Sequence, residues 1–368
     1  MSQNIKTAII GGGVSGLAAA WRLSSQKHYQ IDIYESSPFL GGRAREIYTC
    51  SDYFIDNGQH LLSDSYIHLK KLLNELNPNW KKQCIPYFPW NIRTRTGERY
   101  LLGSSTDSFS INDLIELIKF LYSGKVRHCS SLYKKFLEPF SLSVFALSPD
   151  DVSKKILQRF IKKYLYNPKL YLPTVSLSTL LITPLHKYLM GCQNVEVKTS
   201  ETVLKIQSLS DTCHDVFTKK SQLTYDRVIF AIPPPRIKQF FSHLPSVEQK
   251  KISTIYYQNQ TDCKQSSFSS LTIHPAEFYE WKITLGSKEI YISSGASDKI
   301  KEPNLKMDQK KIKVVNMKQA VTNISCPELK TLKNMLSDMP YDFIGDWVLK
   351  DEPCTLESAI SSAFNILV

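Results

Sequence analysis

The chain has 368 residues, 42% of them apolar, and a formal net charge of +12 at pH 7. That length exceeds one ordinary domain and suits two interleaved ones, while the apolar share provides a sizeable core and excludes wholesale disorder. The basic balance favours an anionic partner, either nucleic acid or an anionic membrane surface, without choosing between them.

Residues 7–10 form a short apolar run with Lys6 before it and glycines after it, which predicts a buried strand. Residues 14–25 have small and apolar side chains at helical spacing, and 30–34 alternate as a second strand. The first 35 residues therefore read strand, glycine loop, helix, strand, a βαβ pattern. Asp56-Asn57-Gly58 is a hairpin turn signal, with 53–55 and 60–62 as its flanking strands. Helices are expected over 65–76, ended by Asn77-Pro78, over 111–122, with Asp113 near the start and Gly124 just past the end, and over 152–165. Residues 195–206 alternate like a strand pair, and 225–232 read as a strand stopped by Pro233, Pro234 and Pro235. The lysine-rich stretch 298–318 is expected to be exposed and locally weak in structure. A strand over 341–344 and a helix from about Thr355 close the chain, and there is no internal repeat.

The eight cysteines are scattered singly, without a C-x-x-C pair or a Cys/His cluster at metal-ligand spacing. That pattern suits reduced thiols in a cytoplasmic protein with no structural metal. The polar start carries no signal peptide, and no apolar run reaches the ~18 residues of a membrane span.

Gly11-Gly12-Gly13-Val14-Ser15-Gly16 fits G-x-G-x-x-G. Gly11 allows the tight turn out of the strand, Gly13 lets a pyrophosphate approach the backbone, and Gly16 lets helix and strand pack closely. Ser15 lies in the first turn of the helix, whose free N–H groups and positive dipole end favour phosphate. Glu35, 24 residues after Gly11, is the acid expected to bind ribose hydroxyls. Gly41-Gly42-Arg43-Ala44-Arg45 adds a second glycine pair that could pass close to a long cofactor, with arginines for its phosphates. By itself, this second loop is equally an ordinary turn.

In this order, the glycine loop, the acid and the Gly-Gly-Arg loop resemble the flavin amine oxidase and phytoene desaturase superfamily. Residues 228–234, Val-Ile-Phe-Ala-Ile-Pro-Pro, resemble its strand-to-proline segment. Residues 343–347, Phe-Ile-Gly-Asp-Trp, and 354–360, Cys-Thr-Leu-Glu-Ser-Ala-Ile, resemble its C-terminal flavin motif. The resemblance implies FAD as cofactor, with Gly345, Asp346, Thr355, Leu356 and Val203 joining Gly11, Gly12, Gly13, Ser15, Gly16, Glu35, Gly42 and Arg43 around it. Asp346 would meet the ribityl–phosphate region. The helix N-terminus at Thr355 would face the flavin ring, where negative charge develops on reduction.

Residues 56–62, Asp-Asn-Gly-Gln-His-Leu-Leu, and 172–181 further resemble the hydroxysqualene dehydroxylases, or squalene-associated FAD-dependent desaturases. The likeness is good over 5–76 and 341–363 and moderate over 130–235. It lapses over 240–335, where the chain is short and lysine-rich. The implied fold is α/β: a Rossmann-type FAD-binding domain from 1–80, 190–235 and 338–368, interleaved with a mixed α+β substrate domain from 81–189 and 236–337. The implied reaction is reductive dehydroxylation of hydroxysqualene to squalene, a step of squalene and hopanoid biosynthesis. His60 would be the proton donor and Asp56 or Gln59 its orienting partner. By residue type alone, His60 could equally pack the loop. A carotenoid desaturase, a flavin amine oxidase and a non-enzymatic FAD- or lipid-binding protein are the alternatives.

Between Lys119 and Lys163 there are ten Lys/Arg against three acids, Glu138, Asp150 and Asp151, interleaved with aromatics such as Phe120, Tyr122, Tyr133, Phe136, Phe140 and Phe145. This suits a peripheral surface on anionic lipid, at the cytoplasmic face of the inner membrane, or a solvated basic face. No nucleic-acid recognition motif accompanies it. Tyr87, Phe88 and Trp90 could line an apolar tunnel or serve as core.

Overall fold

The computed structural model describes residues 4–47, 55–58, 60–87, 90–93, 99–102, 109–126, 130–259, 268–273, 281–285, 288–293 and 309–366. Gln59, residues 53–54 of the expected hairpin, Phe88 and the Trp90 side chain lie outside the described residues, as does 298–308 of the lysine-rich stretch.

The N-terminal strand Ile5–Ile10 is the middle of a five-stranded parallel sheet. Across it, the order is Val195–Lys198, Tyr29–Tyr34, Ile5–Ile10, Arg227–Phe230 and Asp342–Phe343. Three strands come from far along the chain: Val195–Lys198 and Arg227–Phe230 pair in register with the opening βαβ unit, as in Val197 with Ile33 and Ala8 with Val228, and Asp342–Phe343 adds outside Arg227–Phe230, as in Ile229 with Asp342. Parallel strands of this kind are covered on both faces, so they read as continuous apolar runs. Ile9 and Ile229 pack with helices Val14–Ser24, Thr183–Met190 and Leu356–Asn365. Ala8, Ile10, Val228 and Phe230 pack against Val203, Val216 and Tyr225 of a three-stranded antiparallel sheet on the other face.

A second, seven-stranded sheet runs Gln309–Thr322, Gln249–Asn259, Lys288–Ser293, Trp281–Leu285, Phe268–Ile273, Trp90–Arg93, Arg99–Leu102. Tyr256, Ile290 and Val315 of this sheet share one core with Phe120, Phe136, Phe140, Phe145, Phe160 and their neighbours on the helices of 111–166.

The helix Ile111–Ser123 begins with a capping box: Ser110 Oγ accepts from Asp113 N, and Asp113 accepts from Ser110 N. It ends at left-handed Gly124 (φ 67°).

Four local expectations are corrected. Residues 195–206 are not a strand pair, because Val195–Lys198 joins the parallel sheet beside Tyr29–Tyr34 and Val203–Ser210 joins the antiparallel one. Asp56-Asn57-Gly58 does not close a hairpin. Ile55–Asp56 pairs with Glu46–Ile47, and Leu62–Ser63 pairs with Leu170–Pro173, so the loop spans two sheets. The strand expected over 225–232 is shorter, Arg227–Phe230; as expected it stops before the prolines, which then open the helix Pro234–Phe240, whose first turn needs no proline N–H. Residues 309–318 are not weak in structure: they belong to a 14-residue strand that pairs with Gln249–Asn259 and buries Val315. Lysines on this edge strand protect it from pairing with another chain.

Candidate active site

The Rossmann crossover is shaped by its glycines. A Cβ on Gly16 would lie 2.0 Å from the Gly11 carbonyl oxygen, so the helix can approach the strand only with glycine there. A Cβ on Gly13 would meet nothing within 4 Å, which leaves open space above the start of the helix Val14–Ser24. The first N–H groups of that helix have no intrahelical partner. Glu35, at the end of the second strand, fixes the loop: its Oε2 accepts from Gly12 N at 2.8 Å and its Oε1 from Ser37 N at 2.8 Å. The Gly-Gly-Arg loop folds onto the first, with Gly41 N donating to Gly12 O at 2.8 Å.

These elements open onto one continuous cavity of ≈ 1040 Å³. Gly11, Gly13, Ser15, Glu35 and Val203 line one part of it. Gly42, Arg43, Gly345, Asp346, Thr355 and Leu356 line the next. Gly12 and Gly16 are set back, Gly12 against Leu40 and Glu35, and Gly16 against Gly11. Thr355 caps the helix Leu356–Asn365, its Oγ1 accepting from Ser358 N at 3.2 Å, and the helix N-terminus faces the cavity. Arg43 and Asp346 bind each other at 2.7 Å, and Arg43 Nη1 also donates to Ala320 O at 2.7 Å. The C-terminal acid is thus held by the second glycine loop.

The remaining wall is largely apolar, with Tyr66, Phe136, Phe140, Tyr164, Ile252 and Met317 among its residues. Tyr87 belongs to it as well, which places one of the expected tunnel aromatics on the cavity. Tyr66 and Tyr164 meet hydroxyl to hydroxyl at 3.4 Å, and burial raises both phenols above their ordinary range.

His60 lines this wall, and its Nε2 is buried without a hydrogen-bond partner. Burial, with the Arg43 guanidinium adding, pulls its imidazole down to about 4, so it is neutral at pH 7. A neutral imidazole still carries one ring N–H, so it can hydrogen-bond an oxygen in the cavity. Asp56 is not on the cavity wall. Its carboxylate oxygens accept from Leu177 N at 3.2 Å, and burial, with Glu46 adding, pushes its pKa up to about 7. These bonds hold the start of the helical segment after Leu177.

Sequence reasoning missed Glu201 and Arg236 near the glycine loops, and Tyr66, Tyr164, Ile252 and Thr254 in the apolar part. Each reaches the cavity through long-range packing, for which local spacing gives no signal. Most aromatics interleaved with the basic stretch are also interior: Phe120, Tyr133, Phe136, Phe140 and Phe145 are buried, and only Tyr122 among those named stands out, 86% exposed. Among the described residues there is no cluster of His, Cys, Asp and Glu that could hold a metal. No helix among them is long and apolar enough to cross a membrane.

Residues 9–76 match the family of NAD(P)-binding Rossmann-like domains. The chain is 35% identical over 72 residues to a zeta-carotene desaturase of Zea mays, which covers 20% of this chain and 12% of the desaturase. It is 22% identical over 284 residues to a carotenoid phi-ring synthase of Streptomyces griseus, covering 65% and 54% of the two chains. The chain thus spans well under two thirds of either relative. A solved putrescine oxidase shares the fold with a TM-score of 0.62 at 13% identity, over 99% of this chain and 98% of that one. The architecture is therefore Rossmann-type α/β, with an overall fold like that of the putrescine oxidase. The cradle fits FAD. The space above Gly13 would admit a pyrophosphate, Glu35 lines the adjoining wall where it would meet a ribose, and a second helix N-terminus faces the cavity at Thr355. The dinucleotide-binding domain and the amine oxidase-like fold support FAD as the cofactor.

Proposed function

We propose that this chain is an FAD-dependent oxidoreductase acting on a long isoprenoid, and that its reaction is the reductive removal of the hydroxyl of hydroxysqualene to give squalene. The observation that carries this reading is the continuity of the cavity. At ≈ 1040 Å³ it exceeds the usual range for a single small ligand and leads from the glycine cradle into an aromatic and aliphatic chamber. Reduced FAD would supply both the hydride that replaces the hydroxyl and the proton with which the hydroxyl leaves as water. The chain's own contribution is a chamber that excludes water and a neutral His60 that hydrogen-bonds the group to be lost. The names of the desaturase and the synthase both refer to carotenoids, which supports an isoprenoid substrate. The division into a cofactor domain and a substrate domain at the boundaries given above is part of the same proposal.

The match to zeta-carotene desaturase favours a second reading, oxidative desaturation of a carotenoid. An amine substrate is less well served. Among the described residues lining the cavity, the carboxylates are Glu35, Glu201 and Asp346. Glu201 N is bonded to Glu35 O, and Asp346 is paired with Arg43, so none stands in the apolar chamber to receive a cation. The test is an anaerobic assay with photoreduced flavin on hydroxysqualene, run beside phytoene or amines with an electron acceptor. Squalene as the product supports the reading. Desaturated phytoene without squalene would replace it with the second, and retained FAD with no turnover of any isoprenoid would leave a binding protein.

The reading includes a peripheral site of action on anionic lipid. The helix Ile111–Ser123 exposes Ile111, Leu114, Ile115, Ile118 and Tyr122, which recur at helical spacing along one face. Lys162 of the neighbouring helix Lys154–Tyr166 lies 5.6 Å from the Tyr122 ring centroid, so positive charge borders the apolar face. An apolar face rimmed by lysines suits entry into the headgroup boundary, where a long isoprenoid is itself dissolved.

A further inference from the structure

We infer that Thr254 and His60 together form a subsite for a hydroxyl group inside the otherwise apolar chamber, and that Thr254 determines specificity for an alcohol over the matching hydrocarbon. The inference rests on the isoprenoid reading and goes beyond it by assigning a residue that neither the glycine motifs nor the loop 56–62 contains.

Thr254 lies in the middle of the strand Gln249–Asn259, 1% exposed, on the face that also carries Ile252 and Tyr256. Its neighbours in register are Ile292 on one side and Val315 on the other. Both are apolar and β-branched, and valine at 254 would keep the same shape and the same strand preference. The hydroxyl therefore contributes nothing to the sheet. Its Oγ1 is buried and has no hydrogen-bond partner, which costs stability in the empty protein. Ile252, Thr254, Ile292 and Met317 all line the cavity, so Thr254 belongs to the chamber wall and its unpaired hydroxyl lies within that wall.

His60 reaches the same wall. A Cβ on Gly58 would lie 3.1 Å from Met317 Cε and 4.0 Å from His60 Nε2, so both side chains border Gly58. Met317 pairs in register with Ile252, two residues from Thr254 on the same strand face. Two unpaired polar atoms thus occur in one neighbourhood of an apolar wall, and one of them, Nε2 of His60, is likewise buried and partnerless. A neutral imidazole nitrogen either donates or accepts according to its tautomer, and a threonine hydroxyl does both. A hydroxyl can satisfy both atoms at once without bringing charge into the apolar wall; a hydrocarbon satisfies neither, and a carboxylate or an ammonium would carry an unpaired charge into it.

The test uses the FAD-loaded protein in its oxidised state, where substrate and product bind without turnover. Hydroxysqualene and squalene, which differ by the hydroxyl, are titrated in detergent against the flavin absorbance of wild type, Thr254→Val and Thr254→Ser. Wild type should prefer hydroxysqualene. Thr254→Val should weaken hydroxysqualene binding by roughly 5- to 100-fold, the range for losing one buried hydrogen bond, and leave squalene binding unchanged. Thr254→Ser should keep the preference. The ligand-free Thr254→Val protein should melt at the same temperature as wild type or higher. Equal binding of both ligands by wild type overturns the subsite and leaves the isoprenoid reading standing. Binding of neither overturns both. A Thr254→Val protein that is less stable than wild type shows a structural partner for the hydroxyl and also overturns the inference.

Discussion

Arg43 and Asp346, 303 residues apart in the chain, form a 2.7 Å ion pair on the wall of the cavity. The pair closes the cofactor site by fastening the Gly-Gly-Arg loop to the segment that leads into the last helix. Asp346 is 6% exposed, so removing Arg43 leaves a buried carboxylate without its cation. Arg43→Ala should lower stability by about 1.5–3 kcal/mol, and Asp346→Asn by less, because the amide can still accept a hydrogen bond. Both should speed FAD loss. Chemical denaturation and the rate at which flavin is released to a gel-filtration column measure the two effects. Unchanged values in Arg43→Ala would remove the pair's role as a fastener.

Gly13 and Gly16 separate cofactor binding from folding. Gly13→Val places its side chain in open space, so the ligand-free protein should keep its fold and melting temperature. The same side chain would occupy the pyrophosphate position, so the purified protein should be colourless and resist reconstitution. Gly16→Ala puts a Cβ 2.0 Å from the Gly11 carbonyl and should destabilise the whole α/β unit by about 1–3 kcal/mol or more. Absorbance at flavin wavelengths and thermal melting of the two variants test the contrast. A Gly13→Val protein that still binds FAD would place the pyrophosphate elsewhere.

The parts of this site that can be read from sequence are those written within a few residues of one another. Gly11, Gly13, Gly16 and Glu35 fall in one βαβ unit, whose spacing is set by the crossover itself. The last helix was legible because Thr355 is a good cap and apolar residues follow it. What failed was of two kinds. The strand Gln309–Thr322 looked like a solvated lysine run because an edge strand places lysines outward for protection, and composition does not separate that from a weak segment. The chamber was illegible because its walls meet only on folding: Tyr66 and Tyr164 are 98 residues apart, and Thr254 joins His60 from another sheet. Asp346 was legible as a site residue, but its bond to Arg43 was not, since nothing local pairs positions so distant.

Asp56 makes stability depend on pH in a direction opposite to that of an ordinary paired carboxylate. Burial, with the Glu46 carboxylate adding, raises it from the usual carboxylate range to about 7, against the opposing pull of the Leu177 N–H and Lys288. A carboxyl raised on folding favours the native state while both states are protonated. That contribution is lost as pH climbs from the unfolded value near 4 through the folded value near 7. Three pKa units correspond to ~4 kcal/mol at most. Asp56→Asn keeps an acceptor for Leu177 N and removes the titration. The variant should therefore be more stable than wild type at pH 8 and show a flatter profile between pH 4 and 7. Urea unfolding across that range is the measurement, and parallel profiles for the two proteins would show that Asp56 is ionised throughout.

The lipid surface can be tested through the helix Ile111–Ser123 without touching the cavity. Ile115 and Ile118 are 43% and 56% exposed, so Ile115→Asp with Ile118→Asp should leave folding and FAD content intact. Sedimentation with anionic vesicles should fall sharply, because the apolar face would no longer enter the headgroup boundary. Neutralising the exposed residues Lys154, Lys155 and Lys162 to Gln probes the electrostatic half. At about 1 kcal/mol for each basic residue near anionic lipid, removing three should lower partitioning by roughly 100-fold. Salt should release the wild-type protein in the same way, since exposed charges are screened within about 10 Å at 0.1 M. Equal binding to neutral and anionic vesicles would reject the electrostatic part and keep the apolar one. Tight DNA binding without vesicle binding would reject both, and would assign the basic surface to nucleic acid instead.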